Sequence, residues 1–101
     1  GKAVTDYKEI LADEEVEAIS VCTPNKMHSI ISIDCLKAGK NVLCEKPAAR
    51  TYAEALEMKK AQNETGKVLN IGVVNRFNGA VNKIREMITN GDLGEVYHVY
   101  V

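Results

Sequence analysis

The residues best suited to chemistry in this 101-residue chain are Glu45 and Lys46, which follow the uncharged run 41–44 and precede Pro47. A lysine at the end of a buried strand can direct its ammonium group into a crevice. There it can hydrogen-bond a sugar or an amide, or polarise a substrate hydroxyl while a hydride is removed. The alternative is a solvated surface ion pair, because most charged side chains are simply exposed.

A second group of polar residues, Thr23, Pro24 and Asn25 with His28 three positions later, follows another apolar run. A turn of this kind can present a hydroxyl, an amide and the N–H groups of a helix start to a sugar or a phosphate. The residue types also fit a purely structural role, in which Asn25 caps the helix and His28 covers its first turn. Both interpretations stay open at this point.

A third turn contains Asn75, Arg76 and Phe77 after the apolar run 68–74. Arg76 could supply a cation to an anionic or polyhydroxylated ligand. Equally, the arginine could be paired within a loop while the phenylalanine anchors the chain.

These turns alternate with elements whose patterns predict strands and helices. The expected strands are Ala18–Cys22, Asn41–Cys44, Val68–Val74 and Glu95–Val101. Apolar residues at helical spacing fill the intervals, and the expected helices are Tyr7–Ala12, the segment ending at Gly39, the segment from Thr51 to Gly66, and the segment from Val81 to near Gly91. Uncharged strands separated by helices indicate parallel pairing through right-handed crossovers. The sequence therefore predicts an α/β fold with a parallel three-stranded β-α-β-α-β core, a further helix and one more strand.

Parallel strands place their carboxyl ends at one edge of a sheet, and ligands bind beyond that edge. Helix boundaries support the same order of elements. Thr51 and Glu54 form a capping-box pattern, and Gly39 and Gly66 are expected to end helices in the left-handed conformation.

Composition narrows the class of protein. A net charge of -1, with 46% hydrophobic and 27% charged residues, is typical of a globular domain and gives no electrostatic footprint for nucleic acid or an anionic membrane. Cys22, Cys35 and Cys44 are odd in number and contain no C-x-x-C pair. This pattern favours buried, reduced thiols in the cytoplasm over disulfides or a metal site.

Taken together, the motifs match a known family. The succession runs from Ala18-Ile19-Ser20-Val21-Cys22-Thr23-Pro24-Asn25 and His28 through Ala38-Gly39-Lys40-Asn41-Val42-Leu43-Cys44-Glu45-Lys46-Pro47 to Asn75-Arg76-Phe77 and Gly91-Asp92-Leu93-Gly94-Glu95. It closely resembles the Gfo/Idh/MocA oxidoreductases over nearly the whole chain. The Glu-Lys-Pro placed after a Gly-Lys-x-Val-Leu-x strand is the most specific part of the resemblance.

The resemblance implies a dinucleotide-binding (Rossmann) domain, a following α/β substrate domain, NAD or NADP as cofactor, and a sugar, cyclitol or similar alcohol as substrate. It implies that Lys46 takes part in catalysis, that Lys46 and Arg76 face the substrate, and that the Lys46–Pro47 peptide is cis. The residues that the resemblance places against the cofactor are Thr23, Pro24, Asn25, His28, Glu45, Lys46 and Pro47.

A family member also begins with a strand and a G-x-G-x-x-G turn that seats the pyrophosphate, and no such turn occurs in this sequence. We therefore expect a fragment that is inactive alone. In the expected fragment, residues 1–78 are the second half of the Rossmann domain, and residues 79–101 are a linking helix and the first strand of the substrate domain.

Two alternatives from other classes remain. The chain could be a structural half-domain that self-associates through the bare edge of the strand 18–22, forming a homo-oligomer. It could also be a non-catalytic relative that binds a sugar or nucleotide. The presence of Lys46 favours descent from an active enzyme over the latter.

Overall fold

The computed structural model describes residues 1–100, and at its centre is a sheet of three parallel strands in the order β1-β2-β3. The strands are β1 (Ala18–Val21), β2 (Asn41–Glu45) and β3 (Leu69–Gly72). The helices are α1 (Tyr7–Leu11), α2 (Asn25–Lys37), α3 (Tyr52–Thr65) and α4 (Gly79–Thr89), with a 3-10 helix (Val74–Phe77) between β3 and α4. The predicted β-α-β-α-β arrangement is confirmed.

The register of the sheet aligns the ends of its strands. Val21 of β1 pairs with Cys44 of β2, and Cys44 pairs in turn with Ile71 of β3. Because the strands are parallel and in step, the turns that follow them leave the sheet at the same edge.

The hydrophobic core lies on one face of this sheet. Side chains alternate between the two faces of a strand, so Val42 and Cys44 of β2 are buried while Leu43 between them is 48% exposed. Helices α2 and α3 cover the buried face and pack against each other there. The core consists of Val21, Ile31, Cys35, Leu36, Val42, Cys44, Met58 and Ala61.

Helix α3 begins and ends as its sequence predicts. The Thr51 hydroxyl oxygen accepts a hydrogen bond from the Glu54 N–H at 3.2 Å, and Gly66 follows the helix with a φ of +66°. The Glu54 carboxylate accepts hydrogen bonds from the backbone and the side chain of Arg50. These hydrogen bonds from Arg50 lower the pKa of the Glu54 carboxyl.

The prediction of a final strand at Glu95–Val101 is wrong for residues 95–100, which form neither strand nor helix. A strand needs a neighbour for its backbone N–H and C=O groups, and no strand pairs with this segment in residues 1–100. Tyr97 and Tyr100 are accordingly 94% and 93% exposed. Val101 lies outside the described residues.

The third strand is shorter than the predicted Val68–Val74. Pairing with β2 ends at Gly72, and the chain then turns through Val73 into the 3-10 helix. Apolar composition alone does not distinguish a strand residue from an apolar turn residue, so Val73 and Val74 appeared to continue the strand.

No helix within residues 1–100 has the length and apolar run needed to cross a bilayer.

Helix α1 is fastened to α2 by a single side-chain hydrogen bond. The Tyr7 hydroxyl donates to Asp34 Oδ2 at 2.7 Å. Because the neutral phenol donates this bond to a carboxylate, and because burial and the charge of Asp34 disfavour the phenolate, the pKa of Tyr7 rises to about 12.

We expect the Tyr7→Phe variant to be less stable than the unchanged protein by an amount that depends on pH. The pKa is raised on folding, so the stabilisation is complete below the ordinary value of 10 and is lost as the pH rises toward 12. Urea unfolding of both proteins across this range measures the difference. A difference that stays constant above pH 10 would contradict the assignment.

Candidate functional site

Three polar turns meet at the carboxyl edge of the sheet. Thr23 follows β1 after one residue, Lys46 follows β2 directly, and Arg76 lies in the 3-10 helix that follows β3. The register of the strands brings these turns to one edge, as the sequence predicts. This edge is the candidate site.

The end of β2 contacts the end of β3 through Glu45. Its carboxylate lies over Gly72, where an added Cβ would stand 3.1 Å from Glu45 Oε1. Glu45 Oε2 also accepts a hydrogen bond from the Lys46 N–H at 3.1 Å. The absence of a side chain at position 72 therefore leaves the space that the carboxylate occupies.

Glu45 and Arg76 line one open groove of about 400 Å³. The other lining residues are Leu43, Asn70, Ile71, Gly72, Val73, Val74 and Phe77. Most of the lining is thus apolar, and the groove also contains the Glu45 carboxylate and the Arg76 guanidinium. A small polyhydroxylated molecule fits such a groove, because its hydroxyls can donate to Glu45 and accept from Arg76.

Lys46 is exposed and directly follows Glu45 in the chain, and the Lys46–Pro47 peptide is cis. Within residues 1–100 its ammonium group forms no ion pair, so the alternative of a Glu45–Lys46 ion pair is not what the structure shows. The amine is therefore available to a ligand.

The turn after β1 leaves hydrogen-bonding groups unsatisfied. Thr23 Oγ1 is buried and has no hydrogen-bond partner among residues 1–100. Helix α2 begins after Pro24 with no side-chain cap, because Asn25 is its first helical residue. The alternative in which Asn25 caps the helix is therefore wrong. A buried hydroxyl and uncapped N–H groups suit a ligand that carries hydroxyl or phosphate oxygens.

His28 is 1% exposed, and both ring nitrogens contact backbone carbonyls. Nε2 lies 2.7 Å from the Thr23 oxygen, and Nδ1 lies 2.7 Å from the Pro47 oxygen. These two contacts, called the histidine bridge below, join the turn after β1 to the turn after β2. Direct contact between His28 and a cofactor stays a prediction.

The three thiols have different surroundings. Cys35 and Cys44 are buried as predicted, and burial raises the pKa of Cys44 and raises that of Cys35 to about 11. The prediction of burial is wrong for Cys22, which is exposed one residue beyond β1. No cluster of metal-ligating side chains occurs in the described part of the chain.

Sequence reasoning did not identify Gly72 as part of this site. The available signal was a glycine at the end of an apolar strand, which often marks close approach of another group. Its partner Glu45 lies on a different strand, so the contact depends on the sheet register.

Residues 1–73 match the family model described as "Oxidoreductase family, NAD-binding Rossmann fold". Among curated proteins, 1,5-anhydro-D-fructose reductase from Ensifer adhaerens is 39% identical over 94 residues, which is 93% of this chain and 28% of the relative. A 4-carboxy-2-hydroxymuconate-6-semialdehyde dehydrogenase from a Sphingobium strain is 40% identical over 89 residues, or 88% of this chain and 28% of the relative.

The crystal structure of myo-inositol 2-dehydrogenase from Lactobacillus plantarum superimposes with a TM-score of 0.84 at 29% identity. The match covers 92% of this chain and 28% of that one. The chain thus spans a little over a quarter of the length of the proteins it matches.

Proposed function

Because the chain belongs to the Gfo/Idh/MocA oxidoreductase family, we propose that it forms the nicotinamide-facing part of an NAD(P)-dependent enzyme. The proposed reaction is hydride transfer to or from a sugar, cyclitol or similar alcohol. The observation that carries this proposal is the position of Lys46, with an available amine, at the sheet edge where the Thr23 and Arg76 turns also lie. The names of the anhydrofructose and inositol relatives support the substrate class.

The residues around the turn after β1 fit a nicotinamide cofactor. We assign Thr23, Pro24 and Asn25 to its ribose and nicotinamide side, because this turn carries an unsatisfied hydroxyl and the uncapped start of α2. When bound, the cofactor would accept or donate the hydride. The second turn would contribute Glu45, Lys46 and Pro47 to the same ligand.

Lys46 is the proposed catalytic residue. In the direction of reduction its side chain would give a proton to the substrate oxygen as the hydride reaches the carbon, and in the direction of oxidation its neutral amine would take the hydroxyl proton as the hydride leaves. Glu45 fixes the Lys46 backbone through its carboxylate, and Arg76 can hold substrate hydroxyls at the far end of the groove. These cationic and acceptor groups support the proposal of a polyol as substrate.

We expect the Lys46→Met variant of the full-length protein carrying this sequence to lose activity by about 100-fold to 10,000-fold, because a positioned acid or base contributes that much. Activity is measured with NAD⁺ or NADP⁺ and a panel of myo-inositol and aldose sugars, by the absorbance of the reduced cofactor. Lys59→Met, which changes an exposed lysine on α3, is the matched control and should retain full activity. Equal activity in both variants would overturn the role of Lys46.

The 101 residues taken alone are proposed to be inactive. They contain no G-x-G-x-x-G turn, and hydride transfer depends on holding the cofactor in a defined position. The proposed division places residues 1–78 in the cofactor domain and residues 79–101 in the link to the substrate domain. In its support, the packing of α4 is mainly against the 3-10 helix, outside the main core.

A fluorescence titration of the 101-residue chain with NADH tests this proposal. We expect no saturable change in NADH emission at micromolar cofactor, because the pyrophosphate-binding turn is absent from the sequence. Circular dichroism of the same sample records its helix content. Saturable binding at micromolar cofactor would contradict the prediction.

A self-associating half-domain is the second candidate, and the edge of β1 that is unpaired in the described residues favours it. Within residues 1–100, β1 pairs with β2 alone, and the face opposite α2 and α3 exposes Leu43. An apolar edge strand with unpaired backbone groups is a template for another chain. The proposed homo-oligomer forms through this edge. A non-catalytic, ligand-binding role has no comparable observation in its favour.

Sedimentation of the 101-residue chain should show association at high micromolar concentration. Ser20→Lys places a charge on the exposed side of β1 and should shift the chain toward monomer, because charged edges block strand pairing. Lys59→Met, which changes an exposed residue of α3, is the control and should associate like the unchanged chain. A stable monomer of the unchanged chain would exclude the half-domain interpretation.

A cytoplasmic location is also proposed. Its support is the cysteine usage, since all three thiols are free and two lie in the core.

A further inference from the structure

His28 occupies an unusual place for a residue of a binding turn. It lies in the first turns of α2 and is 1% exposed, yet its ring contacts neither of the charged groups of the site. Instead, each ring nitrogen is 2.7 Å from a backbone carbonyl oxygen, one from Thr23 and the other from Pro47.

These contacts have a definite chemical direction. A carbonyl oxygen only accepts hydrogen bonds, so a ring nitrogen holds it only when that nitrogen carries a hydrogen. The contact that matters for Lys46 is the one at Nδ1, because Pro47 directly follows Lys46. A neutral ring carries a hydrogen on one nitrogen only, so the contact of Nε2 with the Thr23 oxygen is a second hydrogen bond only when both nitrogens are protonated.

The strand ladder does not hold these turns. Residue pairing between β1 and β2 ends at Val21 and Cys44, before Thr23 and before Pro47. The contact at Nδ1 therefore connects the turn after β2 to the start of α2, across a sequence separation of 19 between His28 and Pro47. Since proline has a fixed φ, holding its carbonyl also restricts where the preceding residue can lie.

We propose that His28 is a positioning residue, which fixes the Lys46–Pro47 turn against the Thr23 turn by donating from Nδ1 to the Pro47 carbonyl. The consequence for catalysis rests on the proposed function of Lys46, whereas the bond itself does not. His28 acts on the reaction through Lys46 and does not touch the reacting atoms.

The first test reads the ring nitrogens directly in the full-length protein. Nitrogen-15 NMR of histidine-labelled protein distinguishes a protonated from a bare ring nitrogen. The His28 signals are assigned with whichever of the variants below folds. A hydrogen on Nδ1 supports the proposal, whether or not Nε2 also carries one. A bare Nδ1 with the hydrogen on Nε2 overturns it, because the Pro47 oxygen would then face an acceptor.

The second test uses three substitutions that differ in the donor they keep. In His28→Asn the side-chain amide nitrogen is two bonds from Cβ, as Nδ1 is in histidine. In His28→Gln the amide nitrogen is three bonds from Cβ, as Nε2 is. His28→Phe keeps a ring and removes both donors. We expect kcat to fall by about 100-fold in His28→Phe and His28→Gln, because a small displacement of a catalytic group has that effect, and to be largely retained in His28→Asn.

The cofactor KM should change much less than kcat in each variant, since the groups assigned to cofactor binding remain. Unchanged kcat in a folded His28→Phe, or rescue by His28→Gln in place of His28→Asn, overturns the proposal. Lys46→Met separates the two hypotheses. If it is fully active, the proposed function fails while the NMR result still decides the bridge. If Lys46→Met is inactive and His28→Phe is normal, the bridge fails alone.

Discussion

The candidate site depends on the in-step pairing of three parallel strands. Val21, Cys44 and Ile71 stand side by side across the sheet, so the chain leaves each strand at the same level. A shift of one residue in any strand would turn its buried side chains toward the open face. The burial of Val42 and Cys44 under α2 and α3 opposes such a shift. Core packing and site geometry are therefore set by one constraint.

The alternation of side chains between the two faces of the sheet also explains where the reactive groups lie. Side chains facing the helices are apolar or are inert thiols, since burial holds the pKa of Cys35 and Cys44 above the usual range. The charged groups of the site appear where the strands stop, and there the backbone needs partners that side chains provide. Glu45 supplies one such partner to Lys46, and the ring nitrogens of His28 lie against carbonyl oxygens of the two turns. Glu45 and His28, which contact the backbone of the turns, thus lie close to the residues that would bind a ligand.

Much of this arrangement follows from local sequence. Apolar runs predicted the three parallel strands, and Thr51 and Gly66 marked the ends of α3 because capping depends on nearby residues. The end of β3 and the segment 95–100 were not predictable in this way, since pairing requires a partner elsewhere in the chain. For His28, the motif indicated importance to the site. Whether its ring faces a ligand or two carbonyls is a matter of tertiary packing, which residue type alone does not determine.

The close approach of Glu45 to Gly72 links two positions that lie far apart in the chain. The Cβ of an alanine at position 72 would meet only the end of the flexible Glu45 side chain. Exchange of Gly72 for alanine would therefore displace the Glu45 carboxylate, which lies next to Lys46 in the chain, by adding a single methyl group. A change at this pair would therefore alter the lining of the groove at a point where only a flexible side chain has to move.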